Sequence, residues 1–201
     1  MTGVGGVRPA TPADAAALRA VLRRAFDGDP VVNWVIRQDR GREWGMRWLF
    51  RLTLDIGMSA GHVYTAADGR GVAIWSPPGE PSAGQLRHVW RLPGFVRAVG
   101  VARLPRVVRA VVALSARHPR PVHWYLSELA VDPPAQGLGI GGALLAHRLA
   151  ECDRAGQAAY LENSNPRNTP LYERHGFEVL AEHRIGGDGP PVWLMWRDPH
   201  A

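Results

Sequence analysis

The chain is 201 residues long, 46% hydrophobic and 21% charged, with a formal net charge of +6, a size that supports one domain with a sizeable buried core. All 24 basic positions are arginine, which excludes Schiff-base lysine chemistry and a P-loop lysine, and the single cysteine, Cys152, excludes a disulfide framework and a thiolate metal site. The basic balance favours an anionic ligand, but the arginines are spread along the chain with no aromatic RNA-binding signature and no paired-cysteine zinc spacing, so nucleic acid is not the expected partner.

The opening stretch MTGVGGVRPA lacks a basic segment followed by an apolar one, and no uncharged apolar run approaches the ~18 residues of a membrane span. A soluble protein in a reducing, cytoplasmic setting is expected, as a monomer or homodimer. A short strand is predicted around Val7. TPADAAALRAVLRRAF then gives a first helix, with Thr11 as N-cap, Pro12 at the first helical position and Asp14 in the first turn. A Gly28-Asp29-Pro30 break and a charged loop lead to REWGMRWLFRLTLDIGMS, where Trp44, Trp48 and Leu52 recur at helical spacing and predict a second helix. GHVYTAADGRGVAIWSPPG alternates, turns at Asp68-Gly69 and resumes, a hairpin signal. From Ser82 to His118 the composition shifts to Arg, Val, Leu and Ala, interrupted by Pro93 and Pro105, and two or three short helices are predicted.

PVHWYLSELAV reads as a strand buried on both faces, GLGIGGALLAHRLAECDRAG as a helix ending at Gly156, and AAYLENS as the next strand, together one βαβ unit. PRNTPLYERHGFEVLAEHRI gives a short helix stopped by Gly176 and then a strand, and PPVWLMWR a last strand. The expected fold is α/β, an α+β mixed sheet in one domain over residues 1–201. Its order is N-terminal helices, antiparallel strands, a helical insertion at about 82–118, a central parallel βαβ crossover and a C-terminal hairpin.

The stretch VDPPAQGLGIGGALL places a strand end, two prolines and four glycines before an apolar helix. A helix N-terminus preceded by small residues exposes unpaired N–H groups and roughly +0.5 of a charge, and so binds phosphate oxygens without a basic side chain. Gly137, Gly139 and Gly142 also satisfy the dinucleotide fingerprint, with Glu162 about twenty residues on. That reading fails on two counts. DPPAQ separates the strand end from the first glycine, and too few residues follow Glu162 for the remaining βα units of a dinucleotide fold.

VDPPAQGLGIGGALL resembles the acyl-CoA motif of the GNAT acetyltransferases, Q/R-x-x-G-x-G/A, occupied here by Gln136, Gly139 and Gly141. The resemblance continues through YLENSNPRNTPLYERHGFEV, and within the superfamily HWYLSELAVDP and PRNTPLYERHGF look most like puromycin N-acetyltransferase and its antibiotic-resistance relatives. It implies transfer of an acetyl group from acetyl-CoA to a primary amine of a small molecule in a direct ternary complex, without a metal. Backbone N–H groups of Gln136, Gly137, Leu138, Gly139, Ile140, Gly141 and Gly142 are implied to hold the pyrophosphate. Leu129 and Val131 would pair with the pantetheine arm, and Asn165 matches a position that contacts CoA, although an Asn in NSNPRN also suits a turn.

By resemblance Tyr172 is the general acid for the departing thiolate; as a core residue it would instead pack on Phe177. The base has two candidates, Glu162 and Glu128, because a carboxylate in an apolar strand is costly unless partnered. Glu162 is favoured, since the puromycin-type relatives carry Glu at the matching LE position. Arg167 and Arg174 reach towards a CoA phosphate or are simply solvated, and His118 and His123 look too isolated for a metal site. Trp34, Trp44 and Trp48 lie in the segment that lines the acceptor cleft in this family, but core packing is the stronger reading. The alternative function is a non-catalytic acyl-CoA-binding module whose Arg-rich insertion docks a protein or nucleic acid.

Overall fold

The computed structural model describes residues 6–79 and 93–200. Seven strands form one mixed sheet: β1 (Val7–Pro9), β2 (Val63–Ala66), β3 (Gly71–Ser76), β4 (His123–Val131), β5 (Ala158–Asn163), β6 (Glu178–Arg184) and β7 (Pro191–Arg197), in the spatial order β1-β2-β3-β4-β5-β7-β6. Every neighbouring pair is antiparallel except β4 and β5. The β2–β3 hairpin turns at Asp68-Gly69, where Gly69 takes φ 71° and the Asp68 carboxylate accepts from the Arg70 N–H.

The N-terminal helices are α1 (Ala15–Ala25), entered through a 3-10 turn over Pro12–Asp14, α2 (Pro30–Val35) and α3 (Arg42–Ala60). The short α2 falls in the predicted Gly-Asp-Pro break. Pro30 is its first residue and Asp29 its N-cap, accepting from the N–H groups of Val31 and Val32, so Asp-Pro starts a helix here. Pro93 opens α4 (Pro93–Val99) and Pro105 lies in the first turn of α5 (Leu104–Ser115), so the described part of the segment holds the short helices expected, each with a proline at its start. Residues 82–92 of the predicted insertion lie outside the described residues.

Helix α6 (Ile140–Arg154) covers one face of the sheet, packing Leu144, Leu145 and Leu149 against Trp75, Leu126 and Leu161. On the opposite face α1 and α3 bury Leu18, Leu22, Phe50 and Leu54 against Val72, Ile74 and Ala130. Trp44 and Trp48 bind α3 to α4: their rings stack with centroids 6.4 Å apart, Arg97 lies 4.2 Å over Trp44, and Trp48 meets Phe95. Trp34 packs on the Gly186–Gly189 loop and under Arg106. All three therefore serve packing.

Strand β4 departs from the expectation of burial on both faces: only His123, Leu126 and Ala130 of its nine residues are buried. The strand also carries a bulge. Trp75 pairs with Leu126 but Ile74 pairs with Glu128, which leaves Ser127 as an extra residue whose hydroxyl donates to the Ile74 carbonyl. Side chains alternate along a strand, so one extra residue reverses the facing of all that follow. Without it Glu128 would point at α6; with it Glu128 joins Tyr125, Tyr160 and Glu162 on the α1–α3–α5 face.

Candidate active site

The parallel pair β4·β5 is hydrogen-bonded only from His123↔Ala158 to Leu126↔Leu161. Beyond that point β4 continues alongside β3 and β5 alongside β7, so the sheet opens between Ser127–Val131 and Glu162–Asn163. Strand groups along this seam have no strand partner on the open side, and the seam lies at the carboxyl ends of both parallel strands, where ligands of such crossovers bind.

The glycine turn stands at the mouth of the seam. A 3-10 turn over Pro133–Ala135 follows β4, Gln136 donates its side-chain amide to the Val131 carbonyl, and Gly137 and Gly139 adopt φ of 78° and 82°. Those left-handed angles favour glycine. The first backbone bond of α6 runs from the Ala143 N–H to the Gly139 carbonyl. The N–H groups of Ile140, Gly141 and Gly142 consequently have no helical partner, and no side chain caps them. Gln136, Gly137, Leu138 and Gly139 are exposed, and Gly141 and Gly142 half-buried, so the turn is open to a ligand. An anionic diphosphate fits this array of donors at the positive end of a 15-residue helix.

Leu129 and Val131, the two strand residues expected at the pantetheine arm, lie on the open stretch of β4 next to Gly141. Asn165 caps the turn at Pro166–Asn168, its side-chain oxygen accepting from the Arg167 N–H, so that oxygen is engaged in turn chemistry. Arg167 and Arg174 are exposed.

Tyr172 sits on the short helix α7 (Thr169–Glu173), 7% exposed and packed edge-on against Phe177 with ring centroids 6.1 Å apart. The packing on Phe177 expected of a core tyrosine is present, and the hydroxyl is near enough to Glu128 and Asp29 for their charges to act on it. Burial, with the charges of Glu128 and Asp29, pushes its hydroxyl well above the ordinary tyrosine range, so it carries its proton at any working pH.

Three carboxylates gather on the α1–α3–α5 face of the seam, and among the described residues no arginine pairs with them. Glu162 accepts from the Tyr160 hydroxyl at 3.2 Å, with the Tyr125 hydroxyl at 3.5 Å. Asp29, which sequence reasoning passed over, caps α2 and accepts from the Ser164 hydroxyl, tying α2 to the end of β5. Asp-Pro at a helix start was the signal that could have found its place, though not its neighbours. Glu128 is raised from 4.5 to about 8 by burial and by the charge of Asp29.

A stability prediction follows for Glu128. Its folded value lies above its unfolded one, so between about pH 4.5 and pH 8 the folded chain holds a proton that the unfolded chain has released. Stability is full below that window and falls as pH rises through it. Glu128→Gln removes the liability. With solvent screening in the open seam holding the effect to about 1–2 kcal/mol, the variant should melt roughly 2–8 °C above the parent at pH 8.5 and level with it at pH 4.5. Equal melting differences at both pH values would show that Glu128 titrates normally.

His118 and His123, expected to be isolated, are in contact: their Nε2 atoms lie 3.0 Å apart beside Glu162. Among the described residues no group of three or more His, Cys, Asp or Glu side chains is placed to hold a metal ion. No helix there is long and apolar enough to cross a membrane.

Comparison with known proteins agrees with this geometry. Residues 92–179 match the family described as acetyltransferase (GNAT) domain. A crystal structure of histone acetyltransferase HPA2 and related acetyltransferase from Corynebacterium glutamicum is 32% identical, with a TM-score of 0.75 over 99% of this chain and 98% of that one. An uncharacterized N-acetyltransferase of Schizosaccharomyces pombe is 25% identical over 192 residues, 90% of this chain and 78% of its own length. Arylalkylamine N-acetyltransferase 2 from Aedes aegypti shares the fold at 14% identity, with a TM-score of 0.63 over 96% of this chain and 98% of that one. The chain belongs to the GNAT acetyltransferases and is an N-acetyltransferase. Acetyl-CoA is the donor that family uses, and the glycine turn and seam fit it.

Proposed function

We propose that this N-acetyltransferase acts on the primary amine of a small molecule, an antibiotic of the puromycin class or a related metabolite, by direct aminolysis in a ternary complex. The observation that carries the reading is the seam itself, with orphaned helix N–H groups at its mouth, a protonated tyrosine on one side and carboxylates on the other. Support for the puromycin type comes from Glu162 in its LE context and from PRNTPLYERHGF.

Bound acetyl-CoA supplies an activated thioester carbonyl. Backbone N–H groups from Gln136 to Gly142 hold the diphosphate, and the open edge of β4 at Leu129 and Val131 pairs with the amide groups of the pantetheine arm, with the Asn165 amide beside it. Glu162, its carboxylate steadied by Tyr160, accepts a proton from the acceptor's ammonium so that the amine attacks uncharged. Tyr172 donates its proton to the departing sulfur. Glu128 remains largely uncharged up to about pH 8, which keeps one negative charge away from the developing thiolate.

The test is acetyl-CoA-dependent release of free CoA thiol across puromycin, aminoglycosides, arylalkylamines, amino acids, polyamines and basic peptides. Turnover concentrated on a small amine supports the proposal; turnover confined to peptides would move the acceptor to protein, as the name of the Corynebacterium relative suggests for that protein. For the donor, acetyl-CoA at 100 times its Kd should stabilise the fold by about 2.7 kcal/mol. Stabilisation by NADH in its place would overturn the donor assignment.

A further inference from the structure

The six-residue α2 is too short to hold its shape alone, and each of its ends is tied to a different part of the fold. At its start Asp29, 7% exposed, accepts from the Val31 and Val32 N–H groups at 2.9 Å through Oδ1 and from the Ser164 hydroxyl through Oδ2. All three partners donate, so one carboxylate joins α2 to the chain just beyond β5. At the other end Arg103 donates to the Ile36 carbonyl at 2.8 Å and Arg106 to the Trp34 carbonyl at 3.1 Å. Between the two ties Val31 and Trp34 pack against Tyr160, Ile185 and Leu194.

Ser164 lies two residues beyond Glu162, and the charge of Asp29 reaches both Glu128 and Tyr172. The tie at the start of α2 therefore stands where β4, β5 and α7 converge, on the carboxylate face of the seam. Acetyl-CoA takes the glycine turn and the open edge of β4, which leaves that face to the amine. An ammonium is drawn there, because among the described residues no arginine pairs with these carboxylates.

We infer that Asp29 is a positioning residue of the transfer: through Ser164 it fixes the start of α2 against the end of β5 and so sets the width of the seam on the amine's side. It acts on the amine through α2 and leaves the acetyl-CoA side of the seam alone. The far end of α2 is held separately by Arg103 and Arg106, so releasing Ser164 frees only the end beside Glu162. The inference rests on the carboxylate face as the amine's side, and not on which carboxylate is the base.

The test uses the full chain, acetyl-CoA and the panel amine with the highest turnover. Ser164→Ala cuts the tie but leaves Asp29 and its cap on α2 in place. It should raise the amine's KM about tenfold, the scale of one lost hydrogen bond to a charged group, with the KM for acetyl-CoA unchanged. Asp29→Ser keeps a capping oxygen but is too short to serve Ser164 as well, and should raise the amine's KM by a similar factor. The two substitutions together should do no more than either alone, because they cut the same bond. Asp29→Asn offers an oxygen to the two amides and an N–H to Ser164, and should restore most of the amine's affinity.

Amide hydrogen exchange gives a readout apart from turnover. In Ser164→Ala the Val31 and Val32 amides should exchange faster, while the Ile36 amide, bonded to the Val32 carbonyl at the separately held end, should not. Unchanged exchange at Val31 and Val32, or an unchanged amine KM in Ser164→Ala, overturns the inference. So does an amine KM that rises as far in Asp29→Asn as in Asp29→Ser, which would assign the effect to charge alone. Equal rises in KM for the amine and for acetyl-CoA would show a general loss of structure and overturn it as well. Full turnover in Glu162→Gln would overturn the base, and the role of Asp29 would still be decided by the amine's KM.

Discussion

Replacing Tyr172 with phenylalanine is expected to lower kcat by roughly 10²–10⁴-fold, the usual contribution of a positioned proton donor, while the Kd for acetyl-CoA changes less than about twofold. The substitution removes one oxygen and keeps the ring. Its edge-on packing against Phe177 survives, as does its place among Leu144, Leu145 and Ile140 in the core. The Tyr172 hydroxyl makes no hydrogen bond to another described residue, so its loss leaves no partner unsatisfied and the variant should melt within about 1 °C of the parent. Stopped-flow detection of free thiol with calorimetric titration of acetyl-CoA separates the two quantities. A variant with the parent's kcat would assign protonation of the sulfur to water or to Glu128.

The second large effect lies at Gly139. Its backbone sits at φ 82° and ψ −1° immediately before α6, a conformation in which a β-branched side chain is strained by about 1–3 kcal/mol. In Gly139→Val the turn relieves that strain only by rotating, which moves the unpaired N–H groups of Ile140, Gly141 and Gly142 off the diphosphate. The Kd for acetyl-CoA should rise roughly 10–100-fold, equivalent to about 1.4–2.8 kcal/mol. Gly69→Val is the control, because Gly69 has φ 71° in the β2–β3 turn with open space around it. It should cost similar stability without weakening the donor. Equal affinities for Gly139→Val and the parent would remove the turn from donor binding.

Much of the architecture was written in local pattern. The Thr11-Pro12-Asp14 start, the Asp68-Gly69 turn, the run of glycines before α6 and the stop at Gly176 each set the backbone within a few residues, and each appears where its chemistry places it. The active-site face was harder to read because it depends on non-local pairing. Glu128 points towards Glu162 only because Ser127 is extra relative to β3, and an alternation count along LSELAV cannot detect an insertion defined by a different strand. His118 and His123 meet because the loop between them folds back, and Asp29 enters the site because α2 packs near the end of β5. Trp44 and Trp48 were legible for the opposite reason: their helical spacing is local, and it serves the α3–α4 contact, the packing role the sequence favoured.

The position of β7 has a consequence for biosynthesis. It is not an edge strand: it lies between β5 and β6, and its residues Leu194 and Trp193 pair with Glu162 and Asn163. On the ribosome, therefore, Ala158–Asn163 emerges and must wait for residues 191–197 before its second edge is covered. During that interval a strand that begins with the apolar run Ala158–Leu161, already paired on one side, presents a free edge to other nascent chains. Synthesis that stalls or terminates before Pro191 should yield aggregates instead of a smaller folded enzyme, and codon choices that slow translation just upstream of that point should lower the soluble yield.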